Sequence, residues 1–501
     1  MSRPNKETQM TAEATASAGA SLASQWHAID WQAARRHVRR LQMRIAKATR
    51  EQRTGKVKAL QYLLTRSFYA KVLAIKHITQ TPGRHTPGID GVVWKTPAQK
   101  MQAVLRLRHR GYRAYALRRV YIPKQSGRGR RALGIPTKQD RAMQRLHAMA
   151  LDPVAETKAD PNSYGFRSYR STADAIQQCF IDLARKGSAP WILEGDIRAC
   201  FDKISHTWLC QNIPMPTKLL RQWLQAGYIE QDIFHETESG SPQGSPVSPV
   251  LANMTLDGME QAIADVVTKA DKVNFVRYCD DFIVTGASRD VLEIKVKPAI
   301  EAFLGERGLE LSRDKTRITH IADGFDFLGF NVRKYASSGG SKLLIKPSKQ
   351  NVKSFLAMIR REIKSSPGLK TEALIWHLNR KIDGWANHFR HSVAKEIFAA
   401  VDKRIFEMLW RWARRRHPNK NAHWIRVKYF RSRGGRNWVF SARARDKRGE
   451  PIWVDLHYCA RVRIRRHVKI RARATPYDPA YQAYFAQRKV AQAYEPAWLG
   501  G

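Results

Sequence analysis
The chain has 501 residues, too many for one hydrophobic core, and a prior of roughly 150 residues per domain gives about three domains. Its 43% apolar content and 14 Trp exclude an intrinsically disordered chain. Lys and Arg number 89 against 43 Asp and Glu, a formal charge of +46, so a polyanion is the expected partner. An anionic membrane lacks support, because no apolar run of about 20 residues and no secretory segment is visible. The five Cys are scattered without a C-x-x-C pair, which argues against a disulfide framework or a zinc site and fits a reducing, cytoplasmic home.

Residues 1–26, rich in Ala, Ser, Thr and Gly, read as a mobile tail. Asp30 then serves as an N-cap for a helix whose apolar stripe is Trp31, Ala34, Val38, Leu41 and Ile45. The opposite face carries Arg35, Arg36, Arg39 and Arg40, and in so basic a chain it is expected to meet the phosphates of a polyanion. TPGIDGVVW (86–94) predicts a turn and a short strand. LRRVYIPKQSGRGRRALGIP (117–136) predicts a hairpin with Lys124, Arg128, Arg130 and Arg131 crowded at its tip. In DPNSYGFRSYRST (160–172) the aromatics either stack on unpaired bases or cap a sheet beneath. GSPQGSPVSPVLANM begins as a Pro/Gly loop around Gln243, either a simple turn or a template and phosphate contact, and becomes helical near Val250.

The informative stretch is FVRYCDDFIVTG (275–286), two short strands interrupted by Asp280 and Asp281. Adjacent acids in apolar surroundings repel each other and lose hydration, so a fold rarely keeps them without a cation. A second strand-like run, WILEGD, ends in Asp196. If the two strands lie side by side, three carboxylates meet at one sheet edge and form a site for two Mg2+ ions roughly 4 Å apart, suited to phosphoryl transfer. From about residue 346 helical signals replace strand signals, with a stripe of Ile375, Leu378, Ile382, Trp385 and Phe389. An Arg/Trp block holding Arg414, Arg415 and Arg416 follows, then the basic run RVRIRRHVKIRAR.

The ordered series TPGIDG, RRVYIPK with LGIP, NSYGFR, EGDIRACFDKIS, SPQGSPVSPVLANM, YCDD, GLELSRDKT, GFDFLGF, GWANHF and LWRWARRRHPNK resembles group II intron-encoded reverse transcriptases, or maturases. The resemblance implies an α+β right-hand polymerase fold: fingers and palm with an antiparallel sheet, a helical thumb, and a small basic C-terminal domain. The expected divisions are a disordered tail to 26, a basic extension and start of fingers at 27–105, and fingers and palm at 106–345. The thumb (domain X) follows at 346–435 and a DNA-binding region at 436–501. It further implies that Asp196, Asp280 and Asp281 bind two Mg2+ ions and that Phe201 abuts the incoming sugar. Lys124 and Arg131 would hold the triphosphate, Gln243 would flank the nascent pair, and Lys315 would lie near the leaving pyrophosphate. Arg35, Arg36, Arg39, Arg40, Arg414, Arg415 and Arg416 would contact intron RNA, and FDFLGF would form the primer grip.

The implied partners are intron RNA, an RNA template with DNA primer, target DNA and dNTPs, in the cytoplasm or in a nucleoid-associated ribonucleoprotein. The sequence leaves the oligomeric state open. It departs from the family pattern at Ser245, where Gly is usual, and at Cys279, where Ala is usual. No Cys/His cluster for a zinc-bearing HNH endonuclease precedes Gly501, so bottom-strand cleavage is not expected unless the chain was cut short. The rival readings are a splicing-only RNA-binding maturase and a domesticated relative acting in DNA repair or anti-phage defence.

Overall fold
Helical structure begins earlier than the sequence predicts. The computed structural model describes residues 21–123, 129–231, 233–241, 244–338, 340–446 and 448–493, and helix α1 spans 21–27. The expected tail through residue 26 is therefore too long. Trp26 buries itself against Trp31, with ring centroids 5.1 Å apart, and anchors a segment whose small residues carry no packing signal.

Asp30 caps α2 (Trp31–Arg50) as expected, accepting from the N–H groups of Gln32 and Ala33, and the Ala34, Val38, Leu41, Ile45 stripe is buried. α3 (Thr54–Arg66), α4 (Phe68–Gln80) and α5 (Pro97–Arg106) complete the N-terminal helical layer. No strand forms between α4 and α5. The turn expected in TPGIDGVVW forms at Ile89–Asp90, with Gly91 at φ of +67°, and Gly88 lies so close to the backbone of Thr137 that a Cβ would meet its Cα at 2.6 Å. The hairpin follows as β1 (Leu117–Pro123) and β2 (Arg130–Ile135), then the largely buried α6 (Lys138–Lys158).

α7 (Thr172–Leu183), β3 (Trp191–Asp196), α8 (Cys200–Lys203), α9 (His206–Asn212) and α10 (Thr217–Leu224) lead to the short strands β4 (Tyr228–Glu230) and β5 (Ile233–His235). The first sheet runs β2-β1-β4-β5, and its β1–β4 pair is parallel, an exception to the antiparallel expectation. α11 (Ser248–Leu256), α12 (Met259–Ala264), β6 (Phe275–Tyr278), β7 (Asp281–Gly286), α13 (Lys297–Gly305) and β8 (Arg317–His320) complete a central antiparallel sheet, β6-β7-β3-β8. Its alternating side chains feed two different cores. Leu193, Phe275, Phe282 and Val284 join the N-terminal helices, whereas Ile192, Val276 and Ile283 join α7 and the C-terminal half.

β9 (Phe325–Phe327) and β10 (Phe330–Ser337) meet at Leu328-Gly329, both with positive φ as a type I′ turn requires, and β11 (Gly340–Pro347) closes that sheet. The expected helical region is α14 (Lys349–Lys364), α15 (Thr371–Phe389), α16 (Lys395–Arg416) and α17 (Ala422–Tyr429). A division at 435/436 would cut a hairpin. Gly434 and Gly435, both at positive φ, turn β12 (Phe430–Arg433) into β13 (Arg436–Arg445), which pairs with β14 (Pro451–Asp455). Phe440 and Ala442 of β13 share the core of α15 and α16, so the strand packs with the helices.

Beyond β14 the basic run does not simply face solvent. Residues 461–481 form a strap that returns to α7 and α2, and α18 (Gln482–Ala493) follows. Arg465 N–H donates to Arg390 O, and Ile470 N–H donates to Asp174. Tyr477 OH donates to Asp152, and Arg50 pairs with Asp478.

Candidate polymerase site
The β3–β7 register sets Asp196 directly opposite Asp281. Cross-strand partners share a face, so the upstream acid and the doublet meet at one sheet edge. Gly195 makes this pairing possible, because a Cβ there would lie 2.1 Å from the Phe282 ring. Cys279 and Asp280 form the two-residue turn between β6 and β7, and of these two only Cys279 has positive φ, +60°. That pattern belongs to a type II′ turn and strains a residue with a Cβ. Arg277, with no exposed surface, braces the turn from behind: its guanidinium donates to Cys279 O at 3.3 Å and pairs with Asp257. Neither Arg277 nor Asp257 is singled out by the sequence, because an Arg at an interior strand position carries no periodic signal.

Electrostatically the acids are under-compensated. Burial, then the neighbouring Asp280 and Asp196 carboxylates, push Asp281 up to about 7. Burial and Asp196 also raise Asp280, although its own backbone hydrogen bond, Arg131 and Lys315 pull it down. Lys315 Nζ lies 2.9 Å from Asp196 Oδ2, and this hydrogen bond, opposed by desolvation, raises the lysine. Ser312 N–H donating to Asp196 O ties the lysine's loop to β3.

The remaining predicted residues divide. Phe201 is half-buried on α8, and its carbonyl accepts from Ser241 N–H at 2.6 Å. Arg131 is exposed on β2. Lys124 and Gln243 lie outside the described residues. Ser245 is accommodated, its buried hydroxyl donating to Gln144 Oε1 at 2.7 Å. Of the loop aromatics, Tyr164 is buried while Phe166 and Tyr169 are exposed. Arg35, Arg36, Arg40, Arg414 and Arg415 are exposed, and Arg36 has Asp30 at 3.9 Å. Arg39 instead binds Pro476 O and lies over the Tyr477 ring, and Arg416 donates to Pro367 O and Leu369 O.

Acids that a fold gathers and leaves short of positive charge, with a basic hairpin facing them, suit transfer between phosphate esters. The class so defined is a nucleic-acid polymerase with a palm-type sheet. Three family matches sharpen it: reverse transcriptase (RNA-dependent DNA polymerase) over residues 122–332, the N-terminal domain of reverse transcriptase over 26–107, and the group II intron maturase-specific domain over 352–430. Protein YkfC of Escherichia coli (strain K12) is 32% identical over 55% of this chain and 84% of its own length. Group II intron-encoded protein LtrA of Lactococcus lactis subsp. cremoris is 27% identical over 59% of this chain, and the match spans 62% of LtrA. A 91 kDa protein in the cob intron of Schizosaccharomyces pombe is 28% identical over 54% of this chain and 40% of its own. The chain belongs to the group II intron reverse transcriptase/maturase family, and it is an RNA-directed DNA polymerase carrying a maturase domain.

Proposed function
We propose that Asp196, Asp280 and Asp281 hold two Mg2+ ions and that this site extends a DNA primer along an RNA template. The Asp196–Asp281 register is the observation that carries the reading. Carboxylate oxygens are the donors Mg2+ prefers. Among the described residues no set of three His, Cys, Asp or Glu side chains stands ready to cage an ion. Asp196 is paired with Lys315 Nζ at 2.9 Å, and Asp196, Asp280 and Asp281 are the residues that would hold the ions. When bound there, such ions would supply acidification of the primer 3′-OH and neutralisation of charge on the departing pyrophosphate. The chain's own cations then act where negative charge grows: Lys315 by the leaving group, Arg131 and Lys124 on the triphosphate. Phe201 meets the sugar, Gln243 flanks the nascent pair, and the β9–β10 turn supports the primer.

The same chain promotes splicing by binding folded intron RNA, using exposed Arg35, Arg36, Arg40, Arg414 and Arg415 together with the thumb helices α14–α17. The basic region beyond β14 is assigned to target DNA. Among the described residues no helix is long and apolar enough to cross a membrane, and the proposed setting is a cytoplasmic or nucleoid ribonucleoprotein. Asp280→Asn tests both halves. Primer extension should fall by at least about a hundredfold. Intron RNA binding and splicing should persist, because affinity is spread over many basic contacts. Near-normal extension by this variant would refute the metal assignment.

A further inference from the structure
Phe166 is an exposed aromatic held in a costly conformation beside the polymerase site. It has φ of +56°, a region that L residues with a Cβ avoid, and leaves 53% of its surface open. Its neighbours explain how it is held there. Tyr164 is fully buried, and its N–H donates to Arg277 O at 2.9 Å. Gly165 presses on the catalytic turn so tightly that a Cβ would lie 2.3 Å from Cys279 N, and Gly165 O accepts from Asn253 Nδ2 at 2.9 Å. Arg167 makes a buried two-point pair with Glu156 and donates to Asp160 O and Ser163 O. With both flanks fixed, the backbone has no freedom to turn Phe166 inward. The ring projects to Phe201, edge to face at 76° with centroids 6.2 Å apart.

The other face of Phe201 is already committed. Its carbonyl is held by Ser241, its helix begins at Ala199 with φ of +47°, and its ring leans on the core beneath the N-terminal helices. Phe166 therefore adds a ring contact to a Phe201 already packed on the core, and a ring held from both sides resists swinging from a bulky group. We propose that Phe166 is a positioning residue that braces Phe201 and so sets the preference for deoxyribonucleoside over ribonucleoside triphosphates. This rests on the reading of Phe201 as the ring that meets the incoming sugar.

The test compares kcat/KM for dCTP and CTP on one primer–template with the full chain, in Phe166→Ala, Phe166→Gly, Phe166→Tyr, Phe201→Ala and the Phe166→Ala/Phe201→Ala double variant. The ratio is normalised within each protein, so a general loss of activity does not move it. Phe166→Ala should lower discrimination about three- to tenfold, the range that one aromatic pair supports. Phe166→Gly should match it although glycine suits the left-handed backbone, and Phe166→Tyr should restore the parent ratio. Phe201→Ala should relax discrimination further, and the double variant should add nothing to it. An unchanged ratio in Phe166→Ala, or additive losses in the double variant, would overturn the brace while Phe201→Ala still showed the gate. An unchanged ratio in Phe201→Ala would remove the gate and the brace together.

Discussion

Asp174 and the Asp196–Asp280–Asp281 group show the same fold treating acids in opposite ways. Asp174, fully buried at the start of α7, receives everything a carboxylate can use. His467 Nε2 and Arg488 Nη2 lie 2.9 and 2.7 Å from Oδ1, Ile470 N–H donates to the same oxygen, and Ser171 donates to Oδ2 through both its N–H and its hydroxyl. Desolvation raises this carboxyl, but His467, Arg488 and the backbone outweigh it and hold it down near 2. The three palm acids receive one lysine hydrogen bond and a more distant arginine, and Asp281 rises to about 7. A fold able to neutralise a buried acid so completely leaves these three in want of positive charge. The deficit is where the chemistry belongs.

Several experiments break or sharpen that contrast. The largest effect is expected in the palm: Asp280→Asn should cut primer extension at least about a hundredfold while sparing RNA affinity. Next in size, Asp174→Asn leaves the Arg488 guanidinium buried without its counter-charge and should cost about 3–5 kcal/mol in chemical denaturation at neutral pH. Its pH course follows from the depressed value. The ionised form is stabilising above the unfolded carboxyl value of 3.8, and the contribution is lost as pH falls through about 2. Parent and variant stabilities should therefore converge between about pH 4 and pH 2. Equal stabilities at pH 7 would show that the strap does not depend on this ion pair.

Magnesium should stabilise the palm by relieving its repulsion, raising the melting free energy by about 2.7 kcal/mol at a hundredfold excess over Kd. Asp280→Asn should lose most of that gain in a thermal-shift titration, whereas Asp174→Asn should keep it. The smallest effect is expected at Cys279→Ala, since alanine is the usual residue there and both side chains are small. Primer extension should stay within a fewfold of the parent, and Cys279→Gly, free of left-handed strain, should melt slightly higher. A large loss in the alanine variant would give the thiol a role that its position does not suggest.

Local order was the legible part. Alternation around Phe275–Gly286 and the run ending at Asp196 forecast β6, β7 and β3, and a three-four stripe forecast α2 and α15. The meeting of Asp196 with the doublet followed from strand adjacency, which the family resemblance supplied and composition alone did not. What stayed hidden depends on distant partners. Asp174 reads as an ordinary helix-start acid until a histidine 293 positions away reaches it. Charge likewise misdirects in RVRIRRHVKIRAR, because Lys469 turns to Gln178 and His467 to Asp174 while Arg463 and Arg466 stay exposed. The Gly434-Gly435 pair reads equally well as a linker or a type I′ turn, and only the partner strand decides. Phe166 could face a base or a sheet, and nothing in the order of residues revealed that both its neighbours are clamped.

The two-faced central sheet has a practical consequence for anyone wishing to separate the enzyme's trades. Ile192, Val276 and Ile283 belong to a cluster that joins α7 to Phe325, Ile375 and Phe398 of the second half. A fragment cut after β8 would keep every palm acid yet present a bare oily surface to water, and such surfaces aggregate. Dissecting polymerisation from RNA handling therefore calls for point changes rather than truncation.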